Sequence, residues 1–346
     1  MNAKSTIQVE PVHTGPSGPT STRREPLGAV IRRQLQQSLA FVSLIALLAF
    51  FAIASPRFLT VSNITGILLA TAVIGILAVG TTFVIITEGI DLSVGTGMTL
   101  CAVMTGVFMV NFGLPLVVGV IGGILTGALI GFVNGFNVAI LKLPPFIATL
   151  AMMLIAQGLE LVISGVRPIY FSDFPSFKNI ALGSIIPIPG FSMPNAVLIL
   201  FGLAIVAWLI LNKTILGRYT FAIGSNEEAT RISGINTKKW LIAIYTLAGA
   251  FTGIAGVVIA SRLDSAQPAL GMGYELQAIA AVIIGGTSLQ GGRGSILGTI
   301  IGALIMSVLI NGLRILSIQT EWQNVVVGLV IIVAVYTDAL RRSRSA

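Results

Sequence analysis

Ten apolar segments follow one another along the chain, near 36–55, 64–87, 93–111, 114–141, 145–164, 196–212, 240–261, 274–288, 295–314 and 322–338. Most reach the roughly 20 residues a helix needs to cross the hydrocarbon of a bilayer; the eighth and tenth are short. A soluble fold would have to coat such segments with charge, yet only 9% of the 346 residues are charged, against about 25% in an ordinary soluble domain. The spacing therefore predicts an all-α polytopic membrane protein of about ten transmembrane helices, with the lipid bilayer as its first partner.

The charge balance is +8, from 20 Lys and Arg against 12 Asp and Glu. In a soluble chain that would suggest nucleic acid. Here its placement argues otherwise. With the N-terminus inside and the spans alternating, Lys4, Arg23, Arg24, Arg32, Arg33, Lys142, Lys213, Arg218, Arg231, Lys238, Lys239, Arg293, Arg341, Arg342 and Arg344 fall on the cytoplasmic side. Arg57, Arg167, Lys178, Arg262 and Arg314 fall outside. Fifteen against five is the asymmetry expected of topology signals, with both termini cytoplasmic. The excess charge thus needs no nucleic acid partner.

Residues 1–34 are polar and broken by Gly15-Pro16-Ser17-Gly18-Pro19, which reads as a disordered basic tail holding the single histidine, His13. Residues 35–340 form the membrane domain, and 341–346 a second basic tail. Ala52-Ile53-Ala54 has the small residues of a signal-peptidase site, but the stretch before the apolar run is too long for a signal peptide. One His and one Cys, Cys101, exclude a His/Cys metal site, a Ser-His-Asp triad, a Cys-His pair and a disulfide framework. No Gly-Lys dipeptide occurs, so the chain has no P-loop and no ATPase motif of its own.

Two connections stand out by length. Residues 165–195, rich in proline and carrying Phe171, Phe174 and Phe177, are expected outside, as a stiffened apolar loop on the membrane surface or against a partner. Residues 213–239 are expected in the cytoplasm. Within them Ser225-x-x-Glu228 reads as a capping box, Glu227 and Glu228 suit the first turn, and Gly234 suits the left-handed position past the last turn. That predicts a helix of about 8 residues, too short to be stable unless it packs on its own protein or on a partner. On physical grounds alone it is equally well an ordinary interhelical connector.

Glu228-Ala229 followed by Gly234 resembles the Glu-Ala-Ala…Gly loop of ABC importer permeases. Gly224-x-Asn226-x-x-Ala229…Ser233-Gly234-Ile235 is similar to its form in the ribose-type, monosaccharide branch. Four other stretches agree in order: Pro56-Arg57-Phe58-Leu59-Thr60-x-x-Asn63; Glu88-Gly89-Ile90-Asp91-Leu92-Ser93-Val94-Gly95, with Glu88 where glycine is usual; Pro145-Phe146-Ile147-Ala148-Thr149-Leu150; and the run from Gly285, Gly286 to Gly292, Gly294, continued by Gly298 and Gly302. The second Ala of the loop is Thr230 here.

The resemblance implies a type II ABC importer-like permease of the branched-chain amino-acid/ribose superfamily, in the bacterial cytoplasmic (inner) membrane. Its partners would be an ABC ATPase with two nucleotide-binding domains, an extracytoplasmic sugar-binding protein, and a second permease copy or paralogue. ATP and Mg would be used by the ATPase, with no cofactor on this chain. Gly224, Asn226, Glu227, Glu228, Ala229, Arg231, Ser233 and Gly234 would form the coupling element that docks on the ATPase.

Gly89, Asp91, Ser93 and Gly95, with Gly285, Gly286, Gly292 and Gly294, are candidate hinge positions. Asp91 or Ser93 equally suits plain capping of the third span. Glycines four apart, from Gly119 to Gly135 and from Gly294 to Gly302, predict close helix packing. Polar residues within spans are Asn134, Asn137, Gln157, Glu160, Gln277, Asn311 and Asn324. Because the fifth and tenth spans flank the path in related importers, Gln157, Glu160 and Asn324 are the candidate pathway residues. The alternatives are a branched-chain amino-acid permease of the same superfamily, and a self-contained secondary transporter or intramembrane enzyme. Against the last pair, only Glu160 is an ionisable residue placed near mid-span.

Overall fold

The computed structural model describes residues 27–188 and 191–343. His13 lies outside them, as do Lys4, Arg23, Arg24 and Arg344, on which part of the charge argument rests. The chain runs α1(Leu27–Ala54), α2(Val61–Ile86), α3(Val94–Gly106), a π-helical turn Val107–Asn111, α4(Leu116–Ala139), α5(Pro145–Ser164), β1(Ile169–Tyr170), α6(Asn179–Leu182), β2(Pro187–Ile188), β3(Phe191–Ser192) and α7(Asn195–Lys213). It continues through α8(Ile215–Ser225), α9(Glu227–Ile232), α10(Thr237–Leu263), β4(Ser265–Ala266), α11(Tyr274–Ile284), α12(Ile296–Ile315) and α13(Thr320–Ser343).

Each predicted apolar segment holds a helix. Among the described residues, eight are long and apolar enough to cross a membrane. The apolar parts of the other two, Ala40–Ala54 and Tyr274–Ile284, are shorter. α1 starts at Leu27, inside the stretch expected to be tail. The loop expected at 213–239 is itself mostly helical, as α8 and α9.

α2 is the axis of the bundle. Its side chains from Ala72 to Ile86 are almost all buried, packed against α7, α10, α11 and α12 in the largest apolar cluster. α4 and α10 meet along a seam of small residues. A Cβ on Gly127 would lie 2.6 Å from the Gly253 nitrogen, one on Gly135 would lie 2.8 Å from the Ile242 Cα, and one on Gly131 would strike the Tyr245 carbonyl. Backbones therefore touch directly, the closest approach that dispersion between helices in lipid allows. Gly119 and Gly123 turn the other way, to Met109 and Thr105 of the α3 region, while Gly298 and Gly302 face Gly285 and Ala281 of α11.

The connections sort into two ends. At one, the Gly292 N–H donates to the Ile86 carbonyl at 2.9 Å, tying the loop before α12 to the C-terminus of α2. At the other, β1 pairs with β4 through Ile169↔Ala266 and Tyr170↔Ser265. There Ser261 Oγ donates to the Phe177 carbonyl at 2.7 Å. This is the grouping that span alternation requires.

Phe171, Phe174 and Phe177 of the 165–195 connection do not lie out on a membrane surface. Phe171 and Phe177 are buried, their rings 4.1 Å apart, in a core with Val103, Val257 and Ala260. Burying two aromatic rings removes a large apolar area from water and so offsets part of the cost of fixing the loop. Tyr170, Ile185 and Ile186 remain exposed there.

Candidate functional site

α9 stands at the Ile86–Gly292 end. The predicted capping box does not form: the cap lies one residue further on, where position N3 is Ala229 and no side chain reaches back. Asn226, extended at φ −168°, is the N-cap, its Oδ1 accepting from the Ala229 N–H at 2.8 Å. Ser225 is instead the last residue of α8, where its hydroxyl donates back to the Phe221 carbonyl at 2.8 Å. Both residue types cap well, and the one whose side chain is already spent on the preceding turn gives way. The helix is accordingly 6 residues long.

Glu227 and Glu228 occupy its first turn and Arg231 its last, as the helix dipole favours. Glu228 and Arg231 form an ion pair at 2.6 Å, both side chains well exposed. Hydrogen bonding to the Arg231 guanidinium holds the Glu228 carboxyl below its usual range, and the same bond raises Arg231. Thr237 Oγ1 donates to Glu227 Oε1 at 3.0 Å, anchoring α9 to the start of α10. Gly234 stands just past the helix at φ +86°, which a side chain would strain.

Only Thr230 of α9 is buried. Ala229 is exposed and Ile232 is 74% exposed. This helix thus keeps its apolar face off its own protein, which a six-residue helix tolerates only through caps and anchors.

Gly224 is a different case from the rest of that loop. It is buried, and a Cβ there would collide with the Ile86 carbonyl and lie 2.7 Å from the Gly292 nitrogen. Gly291 in turn faces the Gly224 carbonyl. The residue two before the α9 cap is thereby seated on both the end of α2 and the glycine-rich loop. Glu88 lies beside Gly291, exposed, with φ +64°. That left-handed backbone is the reason glycine would be the easier residue there.

The second group of candidates gathers inside the bundle. Neither Asp91 nor Ser93 caps α3: Ser93 takes the N-cap place with helical backbone and makes no side-chain cap bond. Asp91 Oδ1 accepts from the Ser93 N–H at 2.8 Å and the Ser93 hydroxyl at 2.6 Å. Asn134 Nδ2 donates to Ser93 Oγ at 2.8 Å, tying α4 to this junction. An Asx-type turn has outcompeted the cap. Thr149 of α5 adds a bond to the Ile90 carbonyl at 3.0 Å. Gly89 sits against the Tyr245 side chain, where a Cβ would be 2.5 Å from Oη.

Gly95 faces Gly271 and Glu275, so the start of α3 meets the start of α11. Gly97 faces Thr252, near the middle of α10, which sets this meeting of two helix starts about halfway along the bundle. Glu275 satisfies its own helix start, accepting from the Gly273 N–H at 3.0 Å. Gly285 and Gly294 lie at the other end of α11, against Gly298 and Ile86, and Gly286 has φ +89°.

The pathway candidates separate. Glu160 is buried on α5, with Oε1 accepting from the Ala269 N–H at 3.0 Å. Gln157 Nε2 lies 3.2 Å from Met272 Sδ. Asn324 is exposed on α13 and is not brought to the other two. Asn311 Nδ2 donates to Asn63 Oδ1 at 3.0 Å, an interhelical bond. Tyr245, Ala269 and Gly271 were not singled out from the sequence: the partners they make lie more than a hundred residues away, and no local spacing signals them. No cluster of three or more metal-ligating side chains occurs among the described residues.

A bundle threaded by a half-length helix, with one capped helix left uncovered at its end, is the frame of a multi-pass membrane permease. The family described as branched-chain amino acid transport system / permease component matches residues 63–335, and the chain belongs to it. It is 43% identical to the ribose import permease protein of Haemophilus influenzae over 89% of this chain and 94% of that protein. It is 43% identical to the ribose import permease protein of Bacillus subtilis over 88% and 92%, and 38% identical to the fructose import permease protein of Rhizobium meliloti over 88% and 85%. These relatives are named for sugars, although the family carries the amino-acid name. No solved structure matches the chain.

Proposed function

We propose that the chain is the membrane-spanning subunit of a bacterial ABC importer of a monosaccharide, a ribose-like sugar or related polyol, in the cytoplasmic membrane. The observation that carries the mechanism is α9: a capped, anchored helix whose Ala229 and Ile232 are left uncovered. The sugar relatives favour this reading over amino-acid transport. An ATPase subunit grips α9 from the cytoplasm, and Asn226, Glu227, Glu228, Ala229, Arg231, Ser233 and Gly234 form or shape that contact. Gly224 passes its movement to α2 and the glycine-rich loop. A second copy or a paralogue completes the path, bordered by the exposed faces of α5 and α13. A sugar-binding protein docks on the β1–β4 end.

ATP binding by the partner favours one arrangement of α9 and so shifts the path between its two openings, as linkage requires. The test is Ile232→Glu in vesicles reconstituted with the ATPase and binding protein. Sugar uptake falls by roughly 5–150-fold while the chain still inserts. Undiminished uptake would sink the assignment. Purified chain alone turns over no ATP; turnover without a partner would do the same.

A further inference from the structure

Between α10 and α11 the chain takes an irregular course through Asp264 at φ +51°, Ala269 at φ +63° and Gly273 at φ +90°. Non-glycine residues hold a left-handed backbone only where the surroundings impose it. Here the impositions are visible. β4 is paired to β1, and Gly271 is set against the Gly95 carbonyl and Thr99 Oγ1. Residues 264–273 form a strap along the half of α5 that lies away from α9.

Two α5 side chains hold that strap, and both are underused. Glu160 has no exposed surface, and its Oε2 has no hydrogen-bond partner. Its only bond is from the Ala269 N–H to Oε1. Among the described residues the one ion pair is Glu228–Arg231, so no cation compensates Glu160. An ionised carboxyl has about four lone-pair sites, and leaving most of them dry is costly. Gln157, one turn away on the same face, spends its amide on the thioether of Met272, a weak acceptor. Met272 is exposed. The strap residues thus occupy two side chains suited to better partners.

We propose that Glu160 is a two-position acceptor. In the present arrangement it latches the strap through the Ala269 N–H. When the strap lifts, both its oxygens accept from hydroxyls of the passing sugar, with Gln157 as a neighbouring donor. Vicinal hydroxyls supply two donors side by side, the match that one backbone N–H does not provide. The latch stands on the geometry alone; the sugar as second partner rests on the import reading.

Hydrogen exchange of the 264–273 segment in the full transporter reads the latch, and uptake into reconstituted vesicles reads the sugar. Glu160→Leu speeds exchange at Ala269 at least tenfold, and Glu160→Met, of equal length, serves if the leucine variant does not assemble. Glu160→Gln keeps an oxygen for the Ala269 N–H, so its exchange stays within about twofold of wild type. It loses one acceptor, so its uptake falls about tenfold with binding-protein affinity unchanged. Unchanged exchange in both apolar variants overturns the latch, and full uptake by Glu160→Gln overturns the sugar contact. Absence of sugar uptake by the wild-type transporter would instead strike the import reading and leave the exchange result standing.

Discussion

The α4–α10 seam and the α8–α9 turn are opposite solutions to joining helices. In the seam, Gly127, Gly131 and Gly135 bring one backbone onto another with no side chain between. In α9 the backbone is held by caps and one anchor, and every side chain but Thr230 is exposed. The seam is a place where almost any substitution is felt by the fold. The turn is a place where substitution leaves the fold and changes what a partner meets. A residue's cost to stability and its cost to function are therefore expected to separate cleanly between these regions.

The harshest attack on that contrast is Gly131→Leu. Its first side-chain atom already strikes the Tyr245 carbonyl, so the variant loses more than about 3 kcal/mol and yields no monodisperse protein on size exclusion. A folded, active variant would mean that the seam opens freely. Gly224→Ala tests the border between the regions. It displaces α8 from Ile86, lowers the folded yield, and cuts ATP-driven uptake per folded transporter by roughly 5–150-fold.

Glu88→Gly relieves the left-handed backbone beside Gly291 and stabilises the protein by up to about 1 kcal/mol, read as a higher melting temperature. The smallest effect belongs to acid. Glu228 titrates below its usual range, so its bond to Arg231 is fully present above the unfolded carboxyl value and is lost as pH falls through the lower folded value. After correction for intrinsic exchange, protection of the α9 amides declines only below the ordinary carboxyl range, while seam amides keep theirs.

Much of this architecture was legible in the residues. Long apolar runs betray helices because a span must satisfy its backbone internally and its side chains must be apolar. Glycines four apart announced a seam, and Gly234 announced the end of α9. What escaped was decided by competition or distance. Ser225 and Asn226 are adjacent cap formers, and only the three-dimensional turn shows that Ser225 is already bonded to Phe221. Asp91 and Ser93 satisfy each other in place of a helix end. The strap over α5 has no periodicity to detect, and Glu160 finds Ala269 across 109 positions of sequence.

The contact of Gly224 with Ile86 and Gly292 has a mechanical side. Side chains between moving parts act as springs, since a rotamer change takes up displacement before the backbone feels it. At this joint peptide meets peptide, and nothing is available to rotate. A push on α9 reaches the central helix with no slack, like a gear cut without backlash. If an ATPase drives α9 as proposed, the stroke delivered to the core is then set by that partner's movement and not by the compliance of the joint.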